Sequence, residues 1–196
     1  MDYFSWHTEG DVDDDVLCFI EDAPAGLGLY ASCLALGDAV APHMPEGPRI
    51  KLRDANPGLG LPGFIGNTCG LLILSSTGVR VVREMCPDQP FEVFPFELLD
   101  QKDRVHSTDY AIVNPLTKIE CLDAAASGAT HGKRGNVITV KERVLRQQAL
   151  AEAPHLFRIA EMPGDYVFSR ALGRKLNEAN VTNVWGTQLG LIGSQP

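Results

Sequence analysis

The sequence predicts an α+β fold, in which mixed or antiparallel sheets are flanked by a few helices. Two observations support this prediction. Strand-like apolar runs and amphipathic helical segments both occur, but they do not alternate strictly, as a doubly wound parallel sheet would require. With 196 residues, 44% of them hydrophobic and 21% charged, the chain also has the size of one ordinary globular domain.

The N-terminal third of the chain is loop-rich. Its candidate elements are a strand at residues 3–7, an acidic stretch at 9–15, an apolar piece at 16–20 and a helix at 27–40. Five prolines and five glycines then occur from residue 42 to residue 66, and this composition breaks regular structure. We therefore expect a loop-rich N-terminal segment, residues 1–66, packed on an α+β domain formed by residues 67–196.

The next unit has the order strand, helix, strand. The apolar run 71–74 suits a buried strand, and a serine at 75 or 76 stands where a helix N-cap belongs. Apolar residues at helical spacing continue towards Pro87, which ends the helix. A strand at 91–98 follows, and Pro95 within it favours an edge position or a bulge.

The C-terminal part repeats this plan. A strand candidate at 166–168 leads into Ser169 as an N-cap, a helix that Asn180 closes, and a last strand that opens at Val184. Alignment of Ser75 with Ser169 also matches two further identical pairs, Arg80 with Arg174 and Glu84 with Glu178. The similarity indicates two related strand-helix-strand lobes, although two ordinary serine-capped helices would give the same pattern.

Further candidates lie between these two units. They are strands at 110–122, a polar loop at 127–136, an alternating strand at 137–140, a charged helix at 141–153 and a strand at 156–159. Strands and helices again follow one another without strict alternation, which favours α+β over a doubly wound sheet.

Three short motifs resemble ligand sites, but each lacks the context that its ligand needs. Residues 58–63 match G-x-G-x-x-G without a buried strand before them or a helix after them, so we predict a loop. Residues 128–134 resemble a phosphate-binding loop that is one residue short and carries Arg134 in place of Ser or Thr. The acidic stretch 9–15 has calcium-loop spacing, but Val16 replaces the required glycine. We therefore predict no cofactor and no metal ion.

Charge and composition argue against several classes of function. The net charge of −8 and the pI near 5.0 disfavour a nucleic-acid binder, because neutralising phosphates takes a surplus of Lys and Arg. The apolar runs are far shorter than the roughly 20 residues that cross a bilayer, and the acidic N-terminus lacks a secretory signal, so we expect a cytoplasmic protein without membrane contact. The cysteines form no C-x-x-C pair and are expected to be buried free thiols: Cys18, Cys33, Cys69, Cys86 and Cys121.

Three stretches, YAIVNPLTKIECLD at 110–123, HLFR at 155–158 and PGDYVFS at 163–169, carry a family resemblance. They resemble the Imm11 immunity proteins, which show a Y-x-x-x-N strand followed by CLD, an FR strand and a VFVS strand that enters the last helix. The resemblance covers about residues 71–189, and the sequence departs from it after Asn180, where the family more often has a Gly-rich turn. It implies a bacterial protein that binds and neutralises a cognate toxin, encoded by a neighbouring gene, and it transfers no catalytic residue.

An interface with such a partner would depend on aromatic anchors and on charge complementarity. The candidate contact residues are Trp6, Asp13, Asp14, Asp15 and Trp185. Each has an ordinary alternative, which is core packing for the two tryptophans and a solvated acidic face for the aspartates.

Two other classes of function stay open at this point. A small enzyme could use Cys121 or Cys69 with a histidine that the fold brings close. A scaffold protein would instead associate with copies of itself, as a homo-oligomer. A concave pocket with a Cys and a His in contact would favour the first, and a stable oligomer without a foreign partner would favour the second.

Overall fold

The computed structural model describes residues 2–56 and 58–193. The strands in this part of the chain are β1 (Tyr3–Trp6), β2 (Phe19–Ile20), β3 (Arg49–Lys51), β4 (Gly66–Asn67), β5 (Leu72–Ser75), β6 (Phe91–Leu99), β7 (Val105–Pro115), β8 (Lys118–Ile119), β9 (Thr130–His131), β10 (Val137–Thr139), β11 (Val144–Arg146), β12 (Leu156–Ile159), β13 (Met162–Ser169), β14 (Gly186–Gln188) and β15 (Gly190–Ile192). The helices are α1 (Tyr30–Ala35), α2 (Ser76–Met85) and α3 (Arg170–Glu178), with 3-10 turns at Ala41–His43 and Gln147–Leu150.

Two sheets form the framework. One has the strand order β14-β1-β13-β12-β8 and the other has the order β3-β6-β7-β5. Most neighbours are antiparallel, but β8 joins β12 and β3 joins β6 in parallel. Helix α2 packs on β5 and β7, helix α3 packs on β13, and the two helices contact each other. The α+β class with mixed and antiparallel sheets is therefore confirmed. No helix in residues 2–56 and 58–193 is both long and apolar enough to cross a bilayer.

Both strand-serine-helix units are present. The Ser75 hydroxyl accepts a hydrogen bond from the Gly78 N–H at 3.4 Å, and the Ser169 hydroxyl accepts one from the Leu172 N–H at 3.1 Å. These serines satisfy amide groups that the first turn of a helix leaves free. Helix α3 ends at Glu178 with Ala179 as its C-cap, and the next residue, Asn180, adopts a left-handed φ of 56°, as a residue after a helix end often does.

Pro95 lies in β6 at a point where this strand has a single neighbour. Strand β3 pairs with β6 only from Glu97 onward, and Pro95 faces Ala111 of β7. The register between β6 and β7 also shifts after Phe96. The missing N–H of Pro95 therefore interrupts no hydrogen-bond ladder with β3, as expected for an edge position next to a bulge.

The predicted helix at 141–153 is wrong. This segment contains β11, which pairs in parallel with β15, and then a short 3-10 turn. Leu145 is fully buried in the core, and the Val144 N–H donates to the Ser127 hydroxyl at 3.0 Å. Pairing with a distant strand has overridden the local preference of a charged segment for helix.

The N-terminal part is interleaved with both sheets. Strand β1 lies between β13 and β14, and β3 extends the other sheet next to β6. Helix α1 is shorter than the predicted 27–40, because Gly37 ends it with a left-handed φ of 70°. The division of the chain at residue 66 stays a prediction about composition.

Arg158 connects these parts at the centre of the molecule. Its side chain is fully buried, and its guanidinium lies 3.9 Å from the centre of the Tyr166 ring. Its N–H groups donate, at 2.7 to 3.2 Å, to the carbonyl oxygens of Leu34, Ala35, Pro115 and Pro163, to Asn114 Oδ1 and to the Tyr166 hydroxyl. Burial lowers the pKa of Arg158 from its ordinary value, while the adjacent Tyr166 opposes that shift. The nitrogen atoms of the guanidinium thus bind the end of α1 to β7 and β13.

A carboxylate extends this network through Asn114. The Asn114 side-chain amide donates to the Glu92 carboxylate at 3.0 Å and to the Asp38 carbonyl at 2.9 Å. Glu92 in turn accepts the N–H groups of Val40 at 2.9 Å and Ala41 at 2.8 Å. Residues 34–41 are therefore held against the C-terminal sheets by polar contacts as well as by apolar packing.

Candidate functional site

The candidate site is built around an acidic loop, residues 9–15. Asp13, Asp14 and Asp15 are exposed. Within the part of the chain that the structure describes, no Lys, Arg or His forms an ion pair with any carboxylate of this loop. The side-chain hydrogen bonds of this loop are local: the Asp11 carboxylate accepts the Asp13 N–H, and the Asp14 carboxylate accepts the Val16 N–H. Arg53 lines the same cavity as Glu9, Asp11 and Asp14 but pairs with Glu21, so the loop presents concentrated negative charge that no ion pair neutralises in the described residues.

Asn183 holds the first half of the acidic loop in place. The Asp11 N–H donates to Asn183 Oδ1 at 2.7 Å, and Asn183 Nδ2 donates to the Phe64 carbonyl at 2.9 Å. Gly10 adopts a φ of 65° against the same side chain, where an added Cβ would lie 2.6 Å from Asn183 Nδ2. Only glycine permits this approach without strain, so the loop is positioned by the segment that follows α3.

A second loop, the Gly/Pro loop formed by residues 58–63, holds the other half. The Gly60 N–H donates to the Val16 carbonyl at 2.8 Å, and the Cys18 N–H donates to the Gly60 carbonyl at 2.9 Å. A Cβ on Gly58 would lie 2.2 Å from the Leu17 carbonyl oxygen. The glycines that match the dinucleotide motif therefore allow two backbones to approach each other closely, in agreement with the loop interpretation.

Trp185 lies beside the acidic loop. Its side chain is 51% exposed, and its carbonyl accepts the His7 N–H at 2.9 Å. Asn183, two residues before Trp185, contacts Gly10 and Asp11, so the segment that carries Trp185 begins at the support of the acidic loop. The fold thus places residues 183–185 near the start of the acidic loop, although the two segments are far apart in the sequence.

Trp6 has no comparable surface. It is 4% exposed, and its ring packs against Phe64 at 5.5 Å and Phe168 at 5.1 Å between ring centres. In the described residues the indole N–H has no acceptor. The position of Trp6 matches core packing, the alternative considered for it, and so the ring is not available for contact with a partner.

Replacement of Trp6 with phenylalanine should therefore be tolerated. The smaller ring keeps most of the packing and removes a buried donor without an acceptor, so we expect a loss of at most about 1.5 kcal/mol in the free energy of unfolding. Urea denaturation of Trp6→Phe measures this loss. The exposed Trp185→Phe serves as a control that should change stability by less than about 0.5 kcal/mol. A larger loss for Trp6→Phe would show that the core does not close around the smaller ring.

Exposed apolar side chains on this surface were not among the predicted contacts. Val12, Val16, Leu59 and Leu61 are between 46% and 65% exposed. They lie in segments rich in Asp, Gly and Pro, where no helical or strand period exists to assign them to a core. The missed signal was the presence of large apolar residues in a composition that otherwise predicts solvated loop.

The cysteines of the enzyme alternative have protonated thiols. Burial raises the pKa of Cys121 to about 12 and that of Cys69 to about 11. Since the thiolate is the nucleophile, both side chains are poorly suited to catalysis near neutral pH. In the described ranges, no three His, Cys, Asp or Glu side chains converge where a metal ion could bind.

The residues that carry the family resemblance have structural roles. Asn114 and Arg158 belong to the central hydrogen-bond network, Tyr166 packs against the guanidinium, and Ser169 caps α3. His155 Nδ1 also lies 2.7 Å from the Ser169 hydroxyl. These motifs therefore identify a fold, and their side chains are occupied by internal contacts.

Comparison with known proteins agrees with the resemblance. The model of the immunity protein family (Imm11) matches residues 15–190. A search of curated proteins found no match. The family match extends beyond the motifs, from the end of the acidic loop through the Gly/Pro loop to the last strands of the sheet. The chain therefore belongs to the immunity protein family Imm11.

Proposed function

We propose that this protein is a cytoplasmic antidote that binds a cognate toxin domain, encoded by a neighbouring gene, and neutralises it by covering a functional surface. The acidic loop is the main structural support, because its charges have no partner within the described part of the chain and lie beside the exposed Trp185. Membership of an immunity family supports the role of a binding protein.

The chemistry of the surface suits recognition of a basic protein. Clustered carboxylates repel one another, and a partner that supplies Lys or Arg relieves this repulsion. Because Asp13, Asp14 and Asp15 are exposed, their largest effect is on the rate of encounter, which electrostatic attraction raises. Trp185 adds apolar area, of the kind that interface hot spots use. Binding by such a surface requires no catalytic step.

The first test is the affinity of the purified chain for the C-terminal domain of the protein encoded by the adjacent gene. A dissociation constant in the nanomolar range or tighter is expected for an antidote. The absence of binding to a properly folded neighbour would overturn the proposed function and leave the family match as evidence of fold alone.

Removal of the negative charges of the acidic loop should slow association with the toxin domain. The triple variant Asp13→Asn, Asp14→Asn and Asp15→Asn is expected to lower the association rate constant about tenfold at low salt and to weaken its salt dependence. Stopped-flow mixing over a range of salt concentrations measures both quantities.

A matched control removes the same charge elsewhere. Asp88, Glu120 and Glu152 are exposed and belong to no ion pair in the described residues, so Asp88→Asn with Glu120→Gln and Glu152→Gln changes the net charge equally. We expect this control to lower the rate much less. Equal effects of the two triple variants would remove the acidic loop from the interface.

A further inference from the structure

An apolar ridge, formed by Val16, Leu59 and Leu61, stands next to the acidic loop. These side chains are 65%, 46% and 48% exposed. Leu17 pairs in parallel with Gly60, so Val16 and Leu59 precede the paired residues and point to one face of the pair. Leu61 follows Leu59 by two positions and continues that face where the segment is extended. The ridge therefore consists of three partly exposed apolar side chains on two paired segments.

The ridge is held rigidly in this exposed position. The Tyr110 hydroxyl donates to the Pro62 carbonyl at 2.6 Å, and His106 Nε2 lies 2.9 Å from the Leu59 carbonyl oxygen. The close approach of Gly58 and Gly60 to residues 15–17 adds a third support. A preformed surface loses little conformational entropy on binding, which favours affinity. An exposed apolar patch next to polar residues is typical of an interaction site.

The charges at the border of the ridge indicate what covers it. Asp13, Asp14 and Asp15 directly precede Val16 and form no ion pair within the described residues, since the nearby Arg53 pairs with Glu21. An occupant must therefore carry Lys or Arg around an apolar recess. A second copy of this chain would bring the same acidic loop to a symmetric contact, and like charges would oppose the association.

We propose that the apolar ridge is the centre of the toxin-binding surface, and that it inserts into an apolar recess bordered by basic residues on the toxin domain. This inference rests on the proposed function and adds the chemistry of the partner. The ridge supplies desolvated apolar contact and controls dissociation, whereas the acidic loop controls association.

The double variant Leu59→Ala with Leu61→Ala tests the ridge. Its affinity for the toxin domain from the adjacent gene should fall at least about tenfold, through faster dissociation, with the salt dependence of association unchanged. The control is Leu29→Ala with Ile138→Ala, which truncates two side chains that are 91% and 60% exposed on other elements. Thermal unfolding establishes that both variants remain folded, and Val16→Ser provides a second test of the ridge with the same expected direction.

The binding experiments give different results if the ridge is not part of the interface and if the proposed function is wrong. If the wild-type chain binds and truncation of the ridge leaves dissociation unchanged, the ridge is excluded while the antidote function stands. If the wild-type chain does not bind the toxin domain, both are overturned. Light scattering that shows a dimer dissociated by the ridge variant, with toxin binding unaffected, would assign the ridge to self-association and overturn the inference.

Discussion

Replacement of Arg158 with methionine is expected to lower the free energy of unfolding by about 3–5 kcal/mol. The side chain is fully buried, and methionine would remove the guanidinium donor from the carbonyl groups of Ala35 in α1, Pro115 in β7 and Pro163 in β13. Each such unpaired group costs about 1–3 kcal/mol, although the local structure can relax. Urea denaturation monitored by circular dichroism measures the change.

Arg146 provides a matched control for this substitution. Its guanidinium also donates to backbone carbonyls, those of Leu122 at 2.9 Å and Glu120 at 2.7 Å, but its side chain is 46% exposed. Water can therefore replace the lost donor, and Arg146→Met should cost about 1 kcal/mol or less. Arg158→Lys should be nearly as destabilising as Arg158→Met, because the ammonium group of lysine cannot reproduce the planar arrangement of N–H donors in the guanidinium. Equal losses for Arg146→Met and Arg158→Met would contradict the central role of Arg158.

If the proposed function holds, Gly58→Ala is expected to have the largest effect on binding of the toxin domain. A Cβ at this position would lie 2.2 Å from the Leu17 carbonyl oxygen and 2.6 Å from that of Asp15, so one backbone segment must move away. That movement displaces the acidic loop and the ridge together. If each contributes about tenfold, affinity falls about 100-fold, and overpacking lowers the free energy of unfolding by about 1–3 kcal/mol.

Gly164→Ala is the control for Gly58→Ala. A Cβ on Gly164 would meet no atom within 4 Å, and the residue does not have a left-handed φ. We expect it to leave affinity unchanged and to change stability by less than about 0.5 kcal/mol. Titration calorimetry and thermal unfolding of both variants compare these effects. If Gly58→Ala binds as tightly as the control, then the toxin does not require the present arrangement of the two loops.

Local signals in the sequence were sufficient to predict the two serine-capped helices. Ser75 and Ser169 cap the amide groups of their own first turns, and Asn180 follows its own helix, so each depends on neighbours in the chain. The segment 141–153 could not be predicted in this way. Its strand exists because Val144 pairs with Gly190, a contact that local propensity does not encode.

The candidate site was predicted in part. The acidic loop is recognisable as a run of carboxylates, but its lack of internal ion pairs becomes visible only in three dimensions. Leu59 and Leu61 gave no periodic signal, because half-exposed apolar residues in a Gly/Pro loop have no sequence period, and only their unusual composition marks them. The structural roles of Asn114 and Arg158 were also hidden, since their hydrogen bonds join segments from different parts of the chain.

The sequence by itself determined the α+β class, the two strand-serine-helix units and the resemblance to an immunity family. These features depend on caps, periods and short motifs that act within a few residues. Only the tertiary structure decided that Trp6 is buried while Trp185 is exposed beside the acidic loop. Burial is a property of the whole packed chain: Trp6 meets the rings of Phe64 and Phe168, whereas Trp185 extends past the strands into solvent.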